Sequence, residues 1–302
     1  MRDTFVQTLL KEAKRNPDVI LITGDLGFGV LETFERELPN QFLNTGVAEQ
    51  SMVGIAAGIA STGKRVFVYS IGNFPTLRAL EQIRNDVCYM NNSVVIVAVG
   101  SGYSYGSQGY THHALEDIAA LRALPNMNVV SPADPIEAEI LTRFLVNDSK
   151  PAYLRLGRSG ERNLNSTVPT LREGRFNQIS SGESGTILFT GSIGSNVLDA
   201  AALLETKDIR LNIFSVPFIS SIDMMELISL DHSKPILVVE EHSLRGGLTS
   251  AILEQAAIGG LDLKVIPVVA SQSNLSNIGD QNYLRKLNGL DVSDIYSYFL
   301  RP

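Results

Sequence analysis

Hydrophobic and polar positions along the chain fall into two patterns. Residues 3–15 put Phe5, Leu9, Leu10 and Ala13 on one side of a predicted amphipathic helix. Short runs that are apolar throughout follow at 19–23, 65–69 and 93–99, each bounded by turn residues and succeeded by a helical stretch. Strands apolar on both faces, alternating with helices, predict a parallel sheet covered on both sides. Residues 127–130, 136–146 and 152–156 continue the alternation. Between 157 and 185 the chain turns polar and rich in Gly, Ser and Asn, which is linker composition. Strands are then predicted at 186–190, 210–214, 235–240 and 263–268, and helices at 196–204, 224–228 and 247–257. The expected architecture is α/β: two parallel-sheet three-layer domains at 1–163 and, smaller, at 185–302, with a linker at 164–184.

One helix departs from the amphipathic rule. In "NTGVAEQSMVGIAAGIAS", 44–61, the helix expected at 47–60 carries no charged face, which predicts burial nearly all round. Gly54 and Gly58 lie four apart on one side, where another backbone can approach closely. The one acid, Glu49, stands at the start of this helix and is either a cap or a working group. Burial opposes charge on such a carboxyl, whereas a helix N-terminus favours the anion.

The chain has 302 residues, 44% hydrophobic and 19% charged, as expected of a globular protein of about two domains. A net charge of −7 argues against a nucleic-acid binder, which normally carries a basic face. The apolar runs, such as 93–99, fall far short of a membrane span of about 20 residues, and the N-terminus lacks the apolar core of a signal peptide. Cys88 is the one cysteine, which excludes an internal disulfide and a cysteine-rich metal site. A cytoplasmic protein is expected.

Candidate chemistry sits where predicted strands end. "GDLGFG", 24–29, fits neither a dinucleotide fingerprint nor a phosphate loop, and Asp25 is expected to cap backbone N–H groups of a turn. Ligands in open α/β sheets nonetheless bind beyond the carboxyl ends of strands. Phe74 and Arg78, four apart at a helix start, offer a ring for stacking with a cation nearby, or simply core plus a solvated charge. His112 and His113 follow a polar loop in "YGSQGYTHHALED", 105–117. No second ligand pair stands at zinc spacing, so proton transfer or hydrogen bonding to substrate oxygens suits them better than metal. In "YLRLGRSGE", 153–161, Arg155 and Arg158 cannot both be buried unpaired; one is expected to pair structurally and the other to hold an anion such as a sugar phosphate.

Taken in order, "TGVAEQSMVGIAAGIASTGKRVFV", Phe74 with Arg78, "THHALEDIAALRALPNMNVVSPADPIEAE" and "PAYLRLGR" strongly resemble the pyrimidine-binding domain of the transketolase family. "PILVVEEHSLRGGLTSAI", 235–252, looks like the same family's C-terminal domain. The resemblance covers nearly the whole chain and implies thiamine diphosphate as cofactor. It implies that Glu49 hydrogen-bonds the cofactor's aminopyrimidine and activates it, that Phe74 stacks on that ring with Arg78 beside it, and that Asp25 and Leu26 lie near the cofactor. It further implies that His112 contacts substrate oxygens and that Arg158, with Arg155 as a second candidate, binds the substrate phosphate.

Departures qualify the match. Gln108 stands where many transketolases carry an acid that selects hydroxyl configuration, and His113 replaces a more usual glutamine. Tyr103, Tyr105 and Tyr110 make the loop unusually aromatic. The family's diphosphate motif, Gly-Asp-Gly followed further on by Asn, is missing. The expectation is therefore the C-terminal subunit of a split transketolase. An N-terminal partner would supply the Mg²⁺ ligands, two copies of this chain would meet in an α2β2 assembly, and the substrates would be sugar phosphates. A beta-type subunit of a 2-oxoacid decarboxylase, a 1-deoxyxylulose-phosphate-synthase-like enzyme and a non-catalytic partner subunit stay open as alternatives.

Overall fold

A computed structural model describes residues 1–300. The first six strands are β1 (Val19–Thr23), β2 (Phe42–Asn44), β3 (Arg65–Ile71), β4 (Val94–Val99), β5 (Asn128–Val130) and β6 (Ala152–Leu156). They form one parallel sheet in the order β2-β1-β3-β4-β6-β5. Helices α1 (Arg2–Ala13), α2 (Glu32–Glu37), α3 (Glu49–Ala60), α4 (Leu80–Gln82, continued by a π-helical stretch Ile83–Tyr89), α5 (Asp117–Arg122) and α6 (Pro135–Asn147) flank it. Every residue of β4 is buried, as a strand covered on both faces requires. One face packs on α1 and α6 through Phe5, Leu9, Phe67, Val97 and Leu141; the other packs on α3 through Met52, Val53, Val68 and Ile96.

The second sheet holds β7 (Asn177–Ser180), β8 (Thr186–Thr190), β9 (Asn212–Ser215), β10 (Ile236–Ser243) and β11 (Val265–Ala270) in the order β11-β10-β8-β9-β7. Helices α7 (Gly194–Glu205), α8 (Met224–Ile228), α9 (Leu248–Ile258), α10 (Gln281–Leu287) and α11 (Val292–Tyr298) accompany it. Two corrections follow. β7 runs antiparallel to β9, so this sheet is mostly rather than wholly parallel. β7 also lies inside 164–184, the stretch with linker composition: Asn177 and Gln178 are polar, yet they pair along an edge strand, where sequence hydrophobicity is a weak guide.

Buried acids pin the segment between the sheets. Asp134 caps α6 by accepting from the Glu137 N–H at 2.8 Å, and its other oxygen accepts the N–H groups of Leu164 and Asn165. Glu137 accepts from Ala133 N–H at 2.7 Å, from Asn177 Nδ2 at 2.8 Å and from Ser215 Oγ at 3.1 Å. Burial pushes the Glu137 carboxyl up to about 7 despite these donors.

Helix α3 is not buried all round. Gln50, Ser51 and Gly58 are exposed, Ile55 is 41% exposed, and a Cβ at Gly54 or Gly58 would meet nothing within 4 Å. Only the Met52, Val53, Ala56, Ala57 and Ala60 side packs on the sheet, so no described backbone of this chain uses the glycine face.

Candidate active site

The carboxyl ends of β1, β2, β3, β4 and β6 share one edge of the first sheet, and the expected site residues lie in the segments that follow them, except Arg155, which is inside β6. Glu49 opens α3 and is only 3% exposed. Its Oε2 accepts from Arg78 Nη1 at 2.8 Å. Beyond β3, Phe74 donates its N–H to Ile71 at 3.0 Å, and Leu77 and Arg78 donate theirs to the Asn73 carbonyl. This turn puts Phe74 and Arg78 on one side, with the guanidinium carbon 4.6 Å from the Phe74 centroid. His112 meets the same ring edge-on, with centroids 5.2 Å apart and planes at 71°. Glu49, Arg78, Phe74 and His112 thus form one contiguous group.

The two histidines part company. His112 keeps Nδ1 3.0 Å from Thr111 Oγ1 at the site. His113 is fully buried between Tyr103 and Tyr110, and burial lowers its pKa against the pull of the Gly106 carbonyl, which leaves it neutral near pH 7. Asp25 occupies a left-handed turn at φ 56°, a conformation Asp tolerates better than most residues. Asn44 clamps that turn, accepting the Asp25 N–H at 2.9 Å and donating to Asp25 Oδ1 at 3.3 Å. Leu26 turns its carbonyl to the Thr23 hydroxyl at 3.1 Å and packs its side chain against the α1 face of the sheet.

Arg155 is corrected. It is 2% exposed, with Nε 2.7 Å from Asp117 Oδ2 and Nη2 donating to the carbonyls of Ala114 and Glu241. Buried, and with Nε and Nη2 engaged by buried acceptors, it is the structural arginine rather than the phosphate ligand. Tyr153 Oη also donates to Asp117, at 2.5 Å. Burial opposes charge on Asp117, but Arg155, His242 and Tyr153 outweigh it and hold the carboxyl below the usual carboxylate range. Arg158 is exposed and stacks on Tyr105 at 4.9 Å from the centroid. It lines a polar cleft of about 650 Å³ between the two domains, with Ser104, Ser192 and Gln281, and does not touch the Glu49 group. Gln108 is exposed at the end of the short turn Gly106–Gln108.

Several positioning residues escape the sequence. Asn73 donates to the His113 carbonyl at 2.5 Å and so ties the Phe74 turn to the histidine loop. Glu241 on β10 accepts from Tyr103 N–H at 2.8 Å and from Arg285 and Gln281, holding that loop from the second domain. The approach is close enough that Gly102, at φ 60°, has no room for a Cβ beside Glu241. Nothing in a lone Asn after a strand, or in "VVEEH", distinguishes these roles from turn formation or capping.

The fold agrees with the comparisons to known proteins. The chain belongs to the transketolase family: the family's pyrimidine-binding domain matches residues 1–162 and its C-terminal domain residues 174–295. It is 35% identical over 277 residues to one of the subunits of an apulose-4-phosphate transketolase from Phocaeicola vulgatus, covering 88% of this chain and 86% of that one. It is 35% identical over 299 residues to a putative transketolase C-terminal section of Methanocaldococcus jannaschii, covering 98% and 93%. A solved split-gene transketolase, described as an inactive β4 tetramer, superposes with a TM-score of 0.90 at 30% identity, over 99% of this chain and 96% of that one.

Proposed function

We propose that this chain is the cytoplasmic C-terminal subunit of a split thiamine-diphosphate-dependent transketolase, transferring a two-carbon ketol unit between sugar phosphates. The observation that carries the proposal is the buried Glu49 carboxylate at the mouth of α3, next to the partly open Phe74 ring and the His112 edge. A lone acceptor beside a flat apolar shelf fits an aminopyrimidine, which needs one hydrogen-bond partner for a ring nitrogen and one face to stack on. Mg²⁺ and the diphosphate are assigned to an N-terminal partner chain, because the family's Gly-Asp-Gly motif with its trailing Asn does not occur in this sequence. Thiamine diphosphate, when bound, supplies an electron sink that this chain's side chains lack.

The chain's own residues then divide the work. Glu49 holds a proton between Oε and the pyrimidine nitrogen, Phe74 orients the ring, and His112 hydrogen-bonds the oxygens of the sugar. Arg158 is free to take the phosphate at the cleft, with Asp25 and Leu26 at the cofactor's flank and Gln108 facing the sugar hydroxyls. The open face of α3 with its exposed Ile55, and the exposed Leu77, Tyr89 and Met90 in the segment after β3, support pairing of two copies in an α2β2 assembly.

The test is ketol transfer from a ketose phosphate to an aldose phosphate, measured with the partner chain, thiamine diphosphate and Mg²⁺. Glu49→Gln is expected to lower turnover by about 10²–10⁴-fold. Undiminished activity refutes the assignment. CO₂ release from pyruvate in place of ketol transfer moves the chain to the 2-oxoacid or deoxyxylulose-phosphate branch.

A further inference from the structure

The Arg78 guanidinium touches both groups that the proposed cofactor ring needs. It is planar, its Nη1 donates to the buried Glu49 Oε2 at 2.8 Å, and its centre sits 4.6 Å from the Phe74 centroid. An aminopyrimidine bound as proposed above would use the same carboxylate and the same ring. His112 already packs against the same ring, with centroids 5.2 Å apart, which narrows the space left beside it.

We propose that Arg78 is a built-in stand-in for the aminopyrimidine, filling its place in the cofactor-free chain and swinging into solvent as the ring enters. The mobility argument favours Arg78 as the group that leaves. Its side chain is 49% exposed, against 3% for Glu49, so the guanidinium reaches water by rotating about its own stem, whereas the buried Glu49 has no such exposed path. Without cofactor the contact keeps a buried carboxylate partnered, which a water-poor site otherwise makes costly. In the presence of cofactor it competes, so Arg78 sets affinity. If the displaced conformer is about a tenth of the population, apparent affinity falls roughly ten-fold below the intrinsic value.

The inference rests on the assignment of Glu49 and Phe74 to the cofactor, and the experiment separates the two. Thiamine diphosphate with Mg²⁺ is titrated calorimetrically into the complex of the full chain with its partner, wild type against Arg78→Gln and Arg78→Lys. Arg78→Gln, which removes charge and planar stacking, is expected to bind roughly ten-fold tighter. Arg78→Lys, which keeps the charge but loses the stacked plane, is expected to fall between. The Arg78 Nε resonance, followed by NMR in the wild-type complex, is expected to move to a solvent-like position on saturation. Equal or weaker binding by both variants, with a wild type that binds, overturns the stand-in and makes Arg78 neutral or a ligand of the cofactor. Absence of binding by all three chains overturns the proposed function itself, and the stand-in with it.

Discussion

Replacing Asp117 by Asn tests whether Arg155 belongs to the architecture or to the substrate. The Asp117 carboxylate accepts from Tyr153 Oη at 2.5 Å and from Arg155 Nε at 2.7 Å, and both charged side chains are at most 2% exposed. Asn keeps the shape but removes the charge and presents an amide N–H where an acceptor is needed. The guanidinium is then left buried and uncompensated. Breaking a buried ion pair from one side costs about 3–5 kcal/mol. Two charge-assisted hydrogen bonds at about 1.5–3 kcal/mol each give a similar figure, about 3–6 kcal/mol. At about 2–4 °C per kcal/mol for a chain of this size, the melting temperature falls by roughly 6–20 °C. Urea and thermal denaturation of the full chain near pH 7 measure both quantities. Asp117→Leu with Arg155→Met, which removes the whole pair, is expected to recover much of the loss. A penalty below about 1 kcal/mol, the worth of a solvated pair, refutes the structural role. So does a selective rise in KM for the sugar phosphate in Arg155→Met with stability unchanged.

Three further outcomes follow from other parts of the molecule. Glu137 has its carboxyl raised from 4.5 to about 7, so the folded chain binds the extra proton between those values and stability drops by about 3 kcal/mol as pH rises through that window. The difference in unfolding free energy between wild type and Glu137→Gln should therefore change with pH between about 4.5 and 7, and a flat difference excludes the effect. Gly58→Leu on the open face of α3 is expected to leave the single chain folded and up to about 1 kcal/mol more stable through helix propensity, while light scattering shows the assembly weakened; an intact assembly removes that face from the interface. Asn73→Ala, which frees the His113 carbonyl, is expected to lower kcat roughly ten- to a hundred-fold by loosening His112 against Phe74, without loss of cofactor binding by calorimetry; unchanged kcat denies the positioning role.

Local pattern carried a large share of the outcome. Apolar runs such as 93–99 specify buried parallel strands because a strand covered on both faces has no polar side to show. The acid opening an otherwise uncharged helix was legible from helical spacing, whereas Phe74 and Arg78 do not lie at a helix start as expected: α4 begins at Leu80, and a turn closed on the Asn73 carbonyl brings the two side chains together. The ion pair between Glu49 and Arg78 joins residues 29 apart, and the Glu241 contact to Tyr103 joins residues 138 apart; no local rule foresees either.

The amino-acid order by itself determined that the chain is α/β, that its candidate site residues cluster after the first sheet's strands, and that one of two nearby arginines must be paired. Only the tertiary structure decided which: Arg155 turns inward to Asp117 and Arg158 outward to the cleft, although both occupy the same few residues of β6 and its exit. The polar β7 became a strand because β9 offered it an edge, and the glycine face of α3 stayed open because one chain has only one sheet surface for that helix to cover. Strand and helix preferences act over a few residues, whereas the partner of a buried charge is chosen by desolvation, which depends on whatever the whole fold brings within reach.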